Sequence, residues 1–378
     1  MSQPAETRAI DAGEVASPAP ARAGWLGALL RPPRTLETAL AARQDNFLLL
    51  RFVAASFVLF GHSYVLSGAP DAHDFLARAQ LGAGVYTGSL AVDIFFVVSG
   101  FLITGSYLNQ GNLERFLRAR FFRLVPAFAA LLFASAFVLG PLVTSLPLPD
   151  YFTDPATYHY VTKNLRFEPD LQYVLPGLFQ HNPYHDVTNG SIWSLPAEVC
   201  MYLWVAVLGL ATVLRRRRLA NALFVVLLVV GLLVPEELPF MPLPVYVRPC
   251  GFFMAGMFCY LNRDRIPMRT DLFAGLIAAC ALAHRIPALG PAFPWVFAAT
   301  IVYGVFWFAY QPRLGFYNRF GDYSYGVFLW GFPMQQLVVH LFGGPTSPAT
   351  CFWLGWLLTL GCAVASWHLV EKPALRWK

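Results

Sequence analysis

The chain has 378 residues, 57% of them hydrophobic and only 13% charged, with a positive mean hydropathy, whereas soluble globular domains carry about 25% charged residues. This excludes an ordinary soluble domain and predicts an all-α fold, a polytopic integral membrane helix bundle. The net charge of +6 gathers in arginines beside apolar stretches, so it is a topology signal and gives no reason to invoke nucleic acid.

Residues 1–23 are rich in Ala, Pro, Glu and Ser and have no apolar run, which predicts disorder and no cleavable signal peptide. Residues 24–45, interrupted at Pro32-Pro33, read as a short interfacial helix, so that 1–45 forms a cytoplasmic N-terminal segment. Spans of about 20 residues follow at 47–67, 89–108, 121–144, 192–214, 219–235, 243–261, 271–288, 292–312, 322–342 and 350–370. The expectation is about ten transmembrane helices in one domain, 46–371, and a cytoplasmic tail, 372–378. With the N-terminus inside, the later inner segments hold sixteen Lys and Arg (among them Arg115, Arg118, Arg120, Arg123, Arg215 to Arg218, Arg313 and Lys372) against five outside (Arg78, Lys163, Arg166, Arg248, Arg285). Cytoplasmic loops retain positive charge, so both termini are predicted inside. Six cysteines, all in or beside apolar segments and without CxxC spacing, read as small core residues.

The first span carries Arg51 and His62, and ionisable groups within a membrane are costly and usually functional. Eleven positions apart, they project from nearly one helix face, separated by roughly 16 Å of rise. A neutral imidazole can take a proton from a hydroxyl and return it; a histidine satisfied by hydrogen bonds inside the bundle is the alternative. The second span, Asp93-Ile-Phe-Phe-Val-Val-Ser99-Gly100-Phe101, sets Asp93 near the depth of His62, where it would orient the imidazole or pair with an arginine. Ser99-Gly100 reads first as close helix packing.

Next comes the basic segment Arg118-Ala-Arg120-Phe-Phe-Arg123. Its spacing forms no single stripe, so some members are anchors or contacts to membrane lipid headgroups, while others suit a phosphorylated cytosolic ligand, because guanidinium groups match phosphate oxygens. The long outer loop, about 146–191, contains His181, Tyr184, His185 and Asn189, and loops of this length tend to be binding loops. It leads into Asn189-Gly-Ser-Ile-Trp193-Ser194-Leu-Pro196-Ala-Glu198, where Glu198 is expected to face inward at the depth of Asp93 and Trp193 to serve the site or an interfacial belt. Arg248, at the outer end of the sixth span, reads as a helix-end anchor. An inner basic mouth and an outer acid/base site describe transmembrane group transfer, with a transporter using the same charges as a proton relay or a scaffold as rivals.

At these positions the chain resembles the membrane-bound acyltransferase family 3, the group of O-antigen and exopolysaccharide O-acetylases. The resemblance is carried by Arg51 and His62, the Asp93 to Phe101 segment, the Arg118 to Arg123 segment and the Asn189 to Glu198 segment. Later matches are Gly321-Asp-Tyr323-Ser-Tyr325 and Ser366-Trp-His-Leu-Val-Glu371-Lys-Pro. It implies ten transmembrane helices, His62 as the essential catalytic residue with Arg51 supporting the donor, and acyl-CoA as co-substrate, with acetyl-CoA foremost; Asp93 and Glu198 correspond to family acids, one or the other of which would orient His62. Arg51, Arg118, Arg120 and Arg123 would hold that donor; Trp193, Ser194, Asn189, His181 and His185 would bind the acceptor, a polysaccharide or lipid-linked glycan. No metal is expected, the setting is the bacterial cytoplasmic membrane, and glycan-assembly proteins are candidate partners. The chain ends without the extracytoplasmic hydrolase-like domain of fused members.

Overall fold

A computed structural model describes residues 34–42, 44–68, 74–79, 81, 85–233, 244–311 and 315–378, with backbone alone for 229–233. Most of the predicted N-terminal segment, Arg313, and the facing ends of the predicted fifth and sixth spans lie outside the described residues.

Among the described residues the fold is all helical, without a strand; isolated bridges pair Thr35 with Pro267 and Val174 with Val187. Each predicted apolar stretch carries a helix: α1 (Phe47–Leu66), α2 (Thr87–Gln110), α3 (Leu113–Ala134), α4 (Leu195–Leu210), α5 (Arg217–Leu233), α6 (Val247–Leu261), α7 (Thr270–Arg285), α8 (Phe293–Ala309), α9 (Ser324–Leu341) and α10 (Pro348–Ser366). Six helical segments among the described residues are long and apolar enough to cross a membrane: Phe47–Leu66, Thr87–Gln110, Leu113–Val143, Ser191–Leu210, Pro287–Ala309 and Pro348–Trp377. The chain is therefore an integral membrane protein. The remaining four labelled helices fall short of that measure of length and hydropathy.

α1 and α2 form the centre of the bundle: α9 and α10 pack on α1, α6 lies along α2, and α7 pairs with α8 at the side. The α2–α6 contact depends on two glycines. A Cβ on Gly100 would lie 1.9 Å from the carbonyl oxygen of Phe253, and one on Gly256 2.2 Å from that of Val97, the small-residue packing by which membrane helices approach closely.

Two π turns re-aim side chains, as such turns often do at functional places. α3 passes through one at Ser135–Leu139, and α10 ends in another at Trp367–Glu371. The first is fixed from the long loop by the Tyr151 hydroxyl, which donates to the Ala136 carbonyl at 2.7 Å. Burial pushes that phenol up to about 12, so it keeps its proton at neutral pH. The loop itself is packed, with helices Leu148–Thr153 and Pro155–Asn164 and buried Tyr151, Tyr160, Leu175 and Leu178.

Part of the predicted interfacial segment is integrated into the bundle. The short helix Leu36–Ala41 docks on the linker between α6 and α7, with the Leu36 N–H donating to Ile266 (2.9 Å) and the Glu37 N–H to Arg263 (3.0 Å). All six cysteines are free thiols, buried or half-buried.

Candidate active site

Polar side chains occupy successive levels along α1 and α2. At the Arg51 level, Asp322, two residues ahead of α9, is shared by two arginines. Arg51 Nη1 donates to Asp322 Oδ2 at 2.9 Å, Arg123 Nη2 donates to the same oxygen at 2.6 Å, and the Ser324 hydroxyl donates to Oδ1 at 2.6 Å. Arg123 also lies 3.9 Å from Glu371, which accepts a 3.0 Å hydrogen bond from Ser366. Residues five apart are brought together by the π turn between them. Buried charges persist when paired and hydrogen-bonded, a condition that Asp322 meets through Arg51, Arg123 and Ser324.

The next level joins α2, α3 and α4. Glu198 accepts hydrogen bonds from the Tyr202 hydroxyl and, at 3.3 Å, from Ser99. The Arg120 guanidinium lies over the rings of Tyr202 (5.9 Å) and Phe116 (6.0 Å), and its buried Nε has no hydrogen-bond partner among the described residues. Arg51, Arg120, Arg123, Ser194 and Glu198 line one cavity of about 100 Å³, so five of the predicted site residues meet there. A larger cavity of about 580 Å³ among α5 to α8 has Arg248 as the only charged residue of its lining among the described residues, which offer no acid/base pair there.

The predicted meeting of two acids with His62 at one depth does not occur. Asp93 is buried and bound by Arg248, through Nε at 3.1 Å and Nη2 at 2.6 Å. Arg248 thus serves as the partner of an intramembrane acid and is more than a helix-end anchor. Glu198 bonds Ser99, six residues beyond Asp93 and so roughly 9 Å farther along α2; counting residues along each span did not give the level at which α4 meets α2. His62, half-buried, sets its ring edge-on to Phe332 at 5.3 Å between centroids, and its Nδ1 is buried without a hydrogen-bond partner among the described residues.

The other predicted residues divide. Arg118 is exposed and apart from the cavity, the outcome expected for an anchoring member of an irregular arginine run. Trp193 stacks on Tyr246 at 6.2 Å. His181 is exposed, and His185, also exposed, pairs with Asp186 at 2.8 Å. Asn189 is fully buried: its amide donates to the Leu329 carbonyl (3.0 Å) and its oxygen accepts from the Ser191 N–H (3.0 Å). The reason is Pro333, which has no N–H for the carbonyl four residues earlier in α9. Asn189 supplies that missing donor, and its buried side chain is engaged within the bundle. Sequence reasoning assigned no role to Asp322, Glu371 or Tyr202; the signal for the two acids was the need of buried arginines for carboxylates, which the two late motifs contain.

A family model described as an acyltransferase domain matches residues 45–368. The chain is 27% identical to an O-acetyl transferase of Shigella phage Sf6, covering 86% of this chain and 94% of the relative. It is 26% identical to nodulation protein 10 of Rhizobium leguminosarum bv. viciae, covering 89% and 94%. A third relative, protein 2 in the picA locus of Rhizobium radiobacter, is 33% identical over 28% of this chain and 52% of its own length. No solved structure matches. The match runs through α1 to α10, and the chain belongs to the acyltransferase 3 family, an enzyme that transfers acyl groups other than aminoacyl groups.

Proposed function

We propose that the protein moves an acetyl group from cytosolic acetyl-CoA to a hydroxyl of a surface or exported glycan, in the bacterial cytoplasmic membrane with both termini inside. The observation that carries this reading is the arginine-lined cavity on the Arg51 side of His62, in which a buried Arg120 Nε lacks a partner. Guanidinium forks suit the phosphates of a CoA. Arg51 and His62 lie about 16 Å apart along one helix, so a donor anchored at the first would extend its thioester toward the second.

In the reaction His62 takes the proton of the acceptor hydroxyl as its oxygen attacks the thioester carbonyl; the C–S bond breaks, CoA thiolate leaves, and the proton returns to it. Asp93 and Glu198, each engaged elsewhere, act through Arg248 and Tyr202 and do not orient the imidazole. The name of the phage relative, an O-acetyl transferase, supports acetyl as the group transferred and oxygen as its destination.

The test is the O-acetyl content of surface and secreted polysaccharide, by proton NMR, in cells with the wild-type chain, no chain, His62→Ala or Arg120→Gln at matched membrane abundance. Ester signal should appear with wild type alone, His62→Ala giving none and Arg120→Gln a reduced amount that rises with acetyl-CoA supply. Unchanged ester with altered amounts of exported glycan would replace the enzyme reading by a transporter.

A further inference from the structure

The segment from Phe179 to Gly190 forms a strap against α9. It turns back on itself through two non-glycine residues in the left-handed region, Phe179 (φ 55°) and Asp186 (φ 65°), a conformation that persists only where the surroundings over-determine it. The determining residue is Gln336, fully buried on α9. Asn182 Nδ2 donates to Gln336 Oε1 (2.8 Å) and to its main-chain carbonyl (2.9 Å), while Gln336 Nε2 donates to the carbonyls of Tyr184 (2.7 Å) and Val187 (2.8 Å). A buried amide is costly unless bonded, and this one directs both its donors and its acceptor at the strap.

The strap also closes on the histidine. A Cβ on Gly190 would meet the Phe332 ring at 2.7 Å, so the chain passes flush over that ring. Phe332 is edge-on to both His62, at 5.3 Å, and Tyr184, at 6.0 Å. Tyr184 keeps 41% of its surface exposed although its carbonyl is pinned. An exposed aromatic ring fixed by a buried clamp, two ring contacts from the reacting imidazole, has no part in holding the donor.

We propose that the exposed face of Tyr184 is the stacking surface for a sugar ring of the acceptor, and that Gln336 is the positioning residue that holds it beside His62. This rests on the acyl-transfer reading above and names its acceptor subsite. The negative face of an aromatic ring attracts the positively polarised C–H face of a pyranose, leaving hydroxyls at the sugar's edge free. Phe332, in ring contact with both Tyr184 and His62, is no general base, which leaves the imidazole to take the proton of a hydroxyl held beside it. The strap thereby selects which hydroxyl is acylated.

The experiment uses the purified full chain in detergent with acetyl-CoA as donor and, as acceptor, the surface polysaccharide of the cell of origin stripped of its esters by base. Tyr184→Ala should raise the acceptor KM about tenfold, the size of one aromatic contact, with donor KM and kcat near wild type, and Tyr184→Phe should retain the wild-type acceptor KM. Gln336→Ala should raise the acceptor KM in the same direction and speed backbone amide exchange across residues 182–188. An unchanged acceptor KM in Tyr184→Ala with active wild type overturns the stacking role alone, and unchanged exchange in Gln336→Ala overturns the clamp. A wild-type protein that transfers no acetyl to the polysaccharide overturns the acyl-transfer reading itself, and the acceptor role with it.

Discussion

At the scale of single residues, the site is a set of buried arginines whose placement is decided by their carboxylates. Asp322 accepts from both Arg51 and Arg123 through one oxygen, so Asp322→Asn leaves two guanidiniums short of one partner. Loss of one member of a buried pair costs about 3–5 kcal/mol; the expected outcome is a lower unfolding midpoint in detergent and a higher donor KM. An unchanged donor KM would mean that the network only supports the fold. Asp93 and Arg248 are testable by a cycle: Asp93→Leu alone should destabilise the protein by about 3 kcal/mol, and Asp93→Leu with Arg248→Leu should recover much of it, because replacing both charges removes the desolvation penalty. Additive losses would show that the two do not act as a pair. The arginines and His62 were legible in the sequence because ionisable groups stand out in apolar runs. Their partners were not, since spacing along one helix carries no information about which acid another helix brings to it.

At the scale of elements, helix positions follow from apolar length, whereas helix contacts are set by a few special residues. Apolar runs alone placed all ten labelled helices, with ends shifted by several residues, most at α3, whose helix begins at Leu113 and runs through the charged Arg115 to Arg120 stretch before the apolar run. The Pro333 to Asn189 relation was hidden, because a proline shows which carbonyl it frees but not which donor answers. Asn189→Ala should destabilise by about 1–3 kcal/mol through the orphaned Leu329 carbonyl. In Pro333→Ala the helix regains its own N–H for that carbonyl, so the Asn189→Ala loss measured in that background should shrink. Chemical unfolding of the four proteins reads this coupling, and a loss of equal size in both backgrounds would remove the proline from the explanation. Ser99-Gly100 divides by side chain: glycine admits the Phe253 carbonyl, as packing requires, while serine turns to Glu198.

At the scale of the whole molecule, hydrogen bonds between helix ends constrain the topology independently of charge counting. Arg51 lies in the first turns of α1, and Asp322 stands just ahead of α9; their 2.9 Å bond puts the starts of both helices on one face. An even number of crossings must therefore separate them, whichever of the helices between them span. Glu371, just past the end of α10, reaches Arg123 at the same level, so the chain returns to that face at its end. In the proposed orientation the long loop with Lys163 and Asp170 lies on the opposite face, and the Arg51 face, richer in Lys and Arg, is the cytoplasmic one. Single reporter cysteines on a background with the six native cysteines changed to Ala or Ser check this. Asp170→Cys, exposed in the loop beside Lys163, should react in intact spheroplasts with a membrane-impermeant maleimide, and Lys378→Cys only after permeabilisation. Labelling of both from outside would break the parity, and with it the placement of the arginine cavity where a cytosolic donor can enter.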